Sequence, residues 1–296
     1  MSSTSSSTLR PSVRYSQNFL KDARLVASLL NTSDIARDAV VYEIGPGEGI
    51  ITEQLARRYR KVIAVEKDTR LAIQLQRQFA DRPNVTIHAG DFLRYRLPRQ
   101  PYSVFANIPF NITSAIVTKL TSAPTPPDLA YLAMQREAAA MFRGQPRATL
   151  RATLLYPWFE VEIVHRFKRA DFTPAPRVDV VLLRLRKRGP PLITRADRQR
   201  FRDFVTYSFT AWQPTLGDTF SSIFTGRQLT AMRRDLDSDL DVPPTSLTCE
   251  RWLSLFGYVK ATGNDRVWRV IAGSERHLRQ RQASLQKVHR TRTNEW

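Results

Sequence analysis

The sequence predicts an α/β chain, a doubly wound sheet of about seven strands followed by a small all-helical domain. Three observations predict it. Short apolar runs alternate with stretches of helical spacing through the first half of the chain, and a glycine loop joins the first run to its helix. A composition shift at Gly189-Pro190-Pro191 then separates this pattern from a later one whose apolar positions are only helical.

The first run, 39–44, leads through Gly45-Pro46-Gly47-Glu48-Gly49 into helical spacing over 50–59. Glycine at 45 and 47 lets the backbone turn sharply and approach a ligand with no Cβ between them. The loop alone is a weak signal, because a dinucleotide-binding fold shares it. The second run, Lys61–Val65, ends in Glu66, 21 residues beyond Gly45, where a ribose-binding acid with both oxygens free is expected. The third, 84–90, ends in Asp91, which could accept from the exocyclic amine of a bound adenine. Each carboxylate alone reads equally well as a helix cap. The fourth, Tyr102–Ala106, ends in Asn107-Ile108-Pro109-Phe110, 16 residues after Asp91. The fifth is 128–134, followed by a helix from Gln135, and the last two are 159–167 and 178–185. Phe172-Thr173-Pro174-Ala175-Pro176 between those two reads as a stiff connector, and 16–20 as a polar turn before a helix over 23–30.

The tetrapeptide at 107–110 has the parts needed to react an exocyclic aromatic amine. Such an amine is a poor nucleophile, because its lone pair is delocalised into the ring. Acceptors that hold both hydrogens turn the lone pair outward: the Asn107 side-chain oxygen is one, and the Ile108 carbonyl, freed by the turn at Pro109, is the other. Phe110 supplies a plate for the base. The spacing Gly45, Gly47, Gly49 differs from that of a pyrophosphate loop, and Glu48 stands where phosphate would sit. A cationic, phosphate-free cofactor such as S-adenosylmethionine suits this loop better than a nicotinamide dinucleotide.

In this order the elements resemble the ribosomal RNA adenine N6-methyltransferases. Four stretches carry the resemblance: 16–20 (Ser-Gln-Asn-Phe-Leu), 43–49 (Glu-Ile-Gly-Pro-Gly-Glu-Gly), 107–110, and 172–179 (Phe-Thr-Pro-Ala-Pro-Arg-Val-Asp). Asn18, where the universal small-subunit branch usually has His, and Ile108, where it usually has Leu, side with the Erm branch. So does the Pro-Arg-Val-Asp ending at Asp179. The resemblance implies a Rossmann-like methyltransferase sheet and methylation of one adenine of 23S ribosomal RNA, with macrolide, lincosamide and streptogramin B resistance. It implies S-adenosylmethionine as cofactor, with Asn18 and Leu20 bracketing it, Gly45 against it, Glu66 on its ribose and Asp91 on its adenine. It further implies that Asn107 faces both cofactor and target, and that Phe110, where the branch often has Tyr, stacks on a flipped adenine. The alternatives are a small-subunit dimethylase, a non-catalytic RNA-binding factor on the same fold, a dinucleotide oxidoreductase and a DNA adenine methylase.

Composition bounds the rest. With 46 basic and 27 acidic residues the formal charge is +19, which favours a polyanionic partner, and no window is apolar enough to span a membrane. Structured ribosomal RNA presenting a loop or bulge is the expected partner, the chain being a cytoplasmic monomer. Cys249 is the only cysteine and the four histidines have no ligand spacing, so no disulfide and no metal site are expected. The expected organisation is a disordered lead over 1–13, a catalytic domain over 14–188, a helical RNA-binding domain over 189–273 and a basic, disordered tail over 274–296. Residues 184–202 carry eight basic residues and one acid, Asp197, and read either as an RNA phosphate rail or as a solvated linker and helix start.

Overall fold

The computed structural model describes residues 18–291, with side chains through 284. The lead expected over 1–13, together with Ser16 and Gln17 of the first motif, lies outside the described residues, as do 292–296. The chain divides into two compact units, Met1–Ala139 with Glu160–Lys187, and Ala140–Phe159 with Arg188–Trp296.

The first unit runs β1 (Phe19–Leu20), α1 (Ala23–Asn31), β2 (Val40–Ile44), α2 (Ile50–Arg58), β3 (Lys61–Glu66), α3 (Thr69–Gln78), β4 (Val85–Ala89), β5 (Ser103–Asn107), α4 (Thr113–Ser122) and β6 (Leu129–Gln135). α5 (Arg136–Arg143) and, in the second unit, α6 (Leu150–Leu155) follow, before β7 (Phe159–Arg166), β8 (Phe172–Thr173) and β9 (Val180–Lys187). Seven of these strands form one sheet in the order β4-β3-β2-β5-β6-β9-β7, parallel from β4 to β6 and antiparallel between β6 and β9. Covered parallel strands are continuously apolar, and Val41, Val62, Ala64, Val104 and Leu132 are fully buried here. The order reverses between β2 and β5, the switch point at which an open α/β sheet leaves a crevice beyond its carboxyl edge. Asp22 caps α1 by accepting from Arg24 N at 2.7 Å, and Asp68 caps α3 by accepting from Arg70 N at 2.8 Å.

β1 and β8 were not expected to pair. They form a separate antiparallel ribbon, Phe19 opposite Thr173 and Leu20 opposite Phe172, so the polar turn and the stiff connector are two halves of one element. This ribbon brings Asn18 to the crevice.

The second unit holds α6, α7 (Arg198–Thr210), α8 (Leu216–Ser221), α9 (Gly226–Leu236), α10 (Cys249–Thr262), α11 (Asp265–Ile271) and α12 (Ser274–Thr291). Its core is aromatic: Phe204 stacks on Phe220 at 5.9 Å and meets the Trp252 ring edge-on at 6.0 Å. Leu150 and Leu154 of α6 pack on this core, so residues 140–159 fall in the helical unit and not in the domain expected over 14–188.

The tail expected to be disordered from 274 is helical through Thr291. Its first turn is tied down by charge, since Glu275 accepts from Arg202 Nη2 and Arg279 Nη2, each at 2.5 Å, and its backbone N–H donates to Asp203 Oδ1 at 3.0 Å. Burial alone would raise the Glu275 carboxyl, but the two guanidiniums overcome it and hold it down at about 2.

Much of the basic run 184–202 is ion-paired or stacked within the fold. Arg184 pairs with Asp34 and Glu162, Arg186 with Asp34, Lys187 with Asp128 and Arg202 with Glu275, while Arg198 and Arg200 lie over the rings of Trp158 and Trp268. Charges already committed in this way make a poor phosphate rail. No helix among the described residues is long and apolar enough to cross a membrane.

Candidate active site

Register brings the candidate residues to one edge of the sheet. The Gly45 N–H donates to Val65 O at 3.0 Å and the Gly90 N–H to Glu66 O at 2.7 Å, so the ends of β2, β3 and β4 are laced together. The loop glycines lie in the left-handed region, with φ +66° at Gly45 and +58° at Gly47, where an L side chain is strained. Gly47 is also pressed by a ring, and a Cβ there would lie 2.3 Å from Phe19 Cε1.

Glu66, at the end of β3, is 1% exposed. The expectation that both of its oxygens are free is corrected: Oε2 accepts the Gly47 N–H at 3.1 Å and Oε1 the Asp68 N–H at 2.8 Å. Two carboxylate oxygens offer about four lone-pair sites, so each retains acceptor capacity. Asp91 accepts the Leu93 N–H on Oδ1 at 2.8 Å, while Lys67 Nζ stands 3.7 Å from Oδ2.

Asn107 ends β5. Its Nδ2 donates to the Asn18 carbonyl at 2.6 Å, which fixes the amide so that Oδ1 is the free end. That oxygen is buried and has no hydrogen-bond partner. An orphaned acceptor of this kind costs stability of about 1–3 kcal/mol and calls for a ligand or a function. The next residue is anchored by its backbone, the Ile108 N–H donating to Ala133 O of β6 at 3.2 Å. Pro109 (φ −60°, ψ 123°) then turns the chain away from the strand.

Two adjoining clefts open here. One is lined by Asn18, Phe19, Gly45, Asn107, Ile108, Pro109 and Phe110. The other is lined by Leu20, Pro46, Glu48 and residues of α2, and shares Phe19, Gly45 and Asn107 with the first. Of the expected site residues, Asn18, Leu20, Gly45, Asn107, Ile108 and Phe110 meet at these clefts. Gly47, Glu66 and Asp91 do not line them, although Gly47 touches the site through the Phe19 ring.

Phe19 and Glu43 escaped the sequence reading. Phe19 sits inside a quoted motif, but its place over Gly47 depends on the pairing of β1 with β8. Glu43 sits within an apolar strand, and a charged residue in such a run was the available signal. It is 1% exposed and accepts from Thr52 Oγ1 at 2.6 Å through Oε2, while Oε1 has no partner. Burial pushes its carboxyl up to about 8, the charge of Glu66 adding to the rise and the Thr52 bond opposing it. At neutral pH Glu43 therefore keeps its proton beside the loop.

The donors and acceptors present fit a nucleoside cofactor without phosphate: two carboxylates at successive strand ends, a glycine turn bearing Glu48, and an orphaned amide oxygen at the switch point.

Comparison with known proteins agrees with this architecture. The family model "Ribosomal RNA adenine dimethylase" matches residues 9–260. The "rRNA adenine N-6-methyltransferase" of Saccharopolyspora erythraea is 37% identical over 198 residues, which cover 67% of this chain and 52% of that protein, so the chain spans about half the length of this curated relative. The "rRNA methyltransferase" of Streptomyces thermotolerans is 34% identical over 245 residues, 82% of this chain and 81% of its own. Among solved structures, that of the 23S rRNA methyltransferase ErmE superposes with a TM-score of 0.75 at 32% identity, covering 82% of this chain and all of its own. The chain belongs to the ribosomal RNA adenine dimethylase family and, within it, to the Erm type.

Proposed function

We propose that this chain transfers a methyl group from S-adenosylmethionine to N6 of one adenine in structured 23S ribosomal RNA, in the cytoplasm, and so confers resistance to macrolides, lincosamides and streptogramin B. The observation that carries the reading is the buried, unpartnered Oδ1 of Asn107 at the mouth of a cleft walled by Ile108 and Phe110. The cofactor, when bound, supplies an electrophilic sulfonium methyl. Glu66 accepts from its ribose through the lone pairs that Gly47 and Asp68 leave, and Asp91 accepts from its adenine amine. Asn18 and Leu20 bracket it, and Gly45 and Gly47 give it close approach to the backbone.

Asn107 Oδ1 and the Ile108 carbonyl take the two hydrogens of the target amine and turn its lone pair into the cleft, while Phe110 holds the base plane. Extruding the base costs a few kcal/mol, least for an adenine already unpaired in a loop or bulge. Positioning supplies most of the rate, since the amine needs no strong base before transfer and loses its proton afterwards. The helical unit contributes RNA contacts.

The test is Asn107→Ala in single-turnover methyl transfer alongside equilibrium RNA binding. Turnover falls by roughly 100-fold or more while RNA affinity holds. Equal loss of both would make Asn107 a structural residue and remove the main support for this chemistry.

A further inference from the structure

Trp212 is 87% exposed, whereas the other exposed large apolar side chains, such as Leu192 and Val270, lie below 50%. It follows the C-cap of α7 at φ +56°, a left-handed position at which helices usually place glycine and which a bulky L-residue occupies under strain. Asp237 is the other non-glycine residue with positive φ among those described, and it is a helix C-cap, where Asp is tolerated. Folding alone would select glycine at 212. The indole makes no ring contact or hydrogen bond among the described residues, unlike Trp252 and Trp268, which pack in the helical unit.

The surroundings supply the second observation. Phe209, one turn earlier, stacks on Trp252 at 5.2 Å, and Trp252 Nε1 donates to Pro244 O at 3.3 Å. The next carbonyl, Thr245 O, accepts the Ala148 N–H at 3.0 Å. This chain of contacts links the C-terminal end of α7 to the segment at Ala148, which follows Arg147 in the loop after α5; Arg143 is the last residue of α5. Both arginines are exposed and have no ion-pair partner among the described residues, in contrast to Arg184, Arg186, Lys187 and Arg202. A free indole face and two uncommitted guanidiniums are the complement of an unpaired nucleotide, with a π-face to stack and phosphates to neutralise.

We propose that Trp212 is a stacking plate for an unpaired base of the RNA substrate, outside the cleft that takes the target adenine, with Arg143 and Arg147 on the adjoining phosphates. The proposal rests on the RNA-methylating function above. Single-stranded RNA is the occupant the chemistry favours, because stacking tolerates any base and needs no groove.

The full-length protein is titrated with a protein-free large-subunit ribosomal RNA transcript at several salt concentrations, and methyl transfer is measured on the same transcript. Trp212→Ala weakens binding by roughly 5- to 150-fold with an unchanged salt slope, and Trp212→Phe restores most of the affinity. In catalysis Trp212→Ala raises KM for RNA and leaves kcat intact at saturation. Arg143→Ala with Arg147→Ala lowers the slope of log Kd against log salt by about 1 to 2. Binding by Trp212→Ala within twofold of the parent, or a loss that Phe fails to restore, would overturn the proposal. Concentration-dependent self-association in sedimentation that Trp212→Ala abolishes would also overturn it, assigning the residue to a second copy of the chain. Absence of methyl transfer by the parent protein would count against the function alone, since the binding arm still reports on Trp212.

Discussion

Replacing Gly47 by alanine probes the join between the glycine loop and the β1–β8 ribbon. The added methyl would lie 2.3 Å from Phe19 Cε1 and 2.6 Å from Cδ1, where carbon atoms ordinarily rest about 3.5–4.0 Å apart. The ring must therefore move by more than about 1 Å, at an overpacking cost of roughly 1–3 kcal/mol. The φ of +58° adds about 1–2 kcal/mol for a residue bearing a Cβ. The sum is roughly 2–5 kcal/mol. The strain passes to the site, because Asn18, next to Phe19, provides the carbonyl that holds the Asn107 amide. Urea unfolding gives the stability change, and equilibrium dialysis with labelled S-adenosylmethionine gives the effect on the cofactor. Phe19→Ala removes the clash and leaves the dihedral cost, so Gly47→Ala in that background costs only about 1–2 kcal/mol. Equal costs in the two backgrounds, or a cost below about 0.5 kcal/mol in the parent, would refute the steric argument.

Two buried carboxylates give opposite pH signatures. The Glu43 carboxyl rises from 4.5 in the open chain to about 8 in the fold, so the unfolded chain gives up its proton while the native protein keeps it. The parent therefore loses stability as pH climbs from 4.5 to about 8, by up to about 1.4 kcal/mol per pH unit, and is level above that. Glu43→Gln escapes this loss, and its stability relative to the parent grows across that window; a difference independent of pH contradicts the assignment. Glu275 is held down at about 2 against 4.5 unfolded, so its stabilisation is present above 4.5 and disappears as pH falls toward 2. Glu275→Gln costs about 3 kcal/mol at neutral pH, and the gap closes in acid; a gap that widens on acidification would refute the pairing with Arg202 and Arg279.

Much of the first unit could be read in the sequence, for a physical reason. Strands covered on both faces must be apolar throughout, and the turn residues that end them stand out: Gly45 after β2, Glu66 at the end of β3, Asn107 at the end of β5. The β1–β8 ribbon could not be read, since two residues per strand carry no periodicity and the pairing is long-range. The same pairing places Phe19 on Gly47. The commitment of both Glu66 oxygens depends on loop backbone geometry that no residue type announces. In the second unit α12 lacked a warning apolar stripe, because its start is fixed by Glu275, Arg202 and Asp203. Composition likewise marks 184–202 as basic without revealing that Asp34, Glu162, Asp128 and Glu275 pair with Arg184, Arg186, Lys187 and Arg202 of that run. The charges left uncommitted at Arg143, which ends α5, and at Arg147, in the loop after it, drew no notice in the sequence.

The most direct test of the central claim is tritiated methyl transfer from S-adenosylmethionine to protein-free large-subunit and small-subunit ribosomal RNA in parallel, with Asn107→Ala as control. The account predicts label on N6 of adenine in the large-subunit RNA alone, lost with Asn107→Ala. Label confined to small-subunit RNA, or RNA binding without label in either, would contradict it.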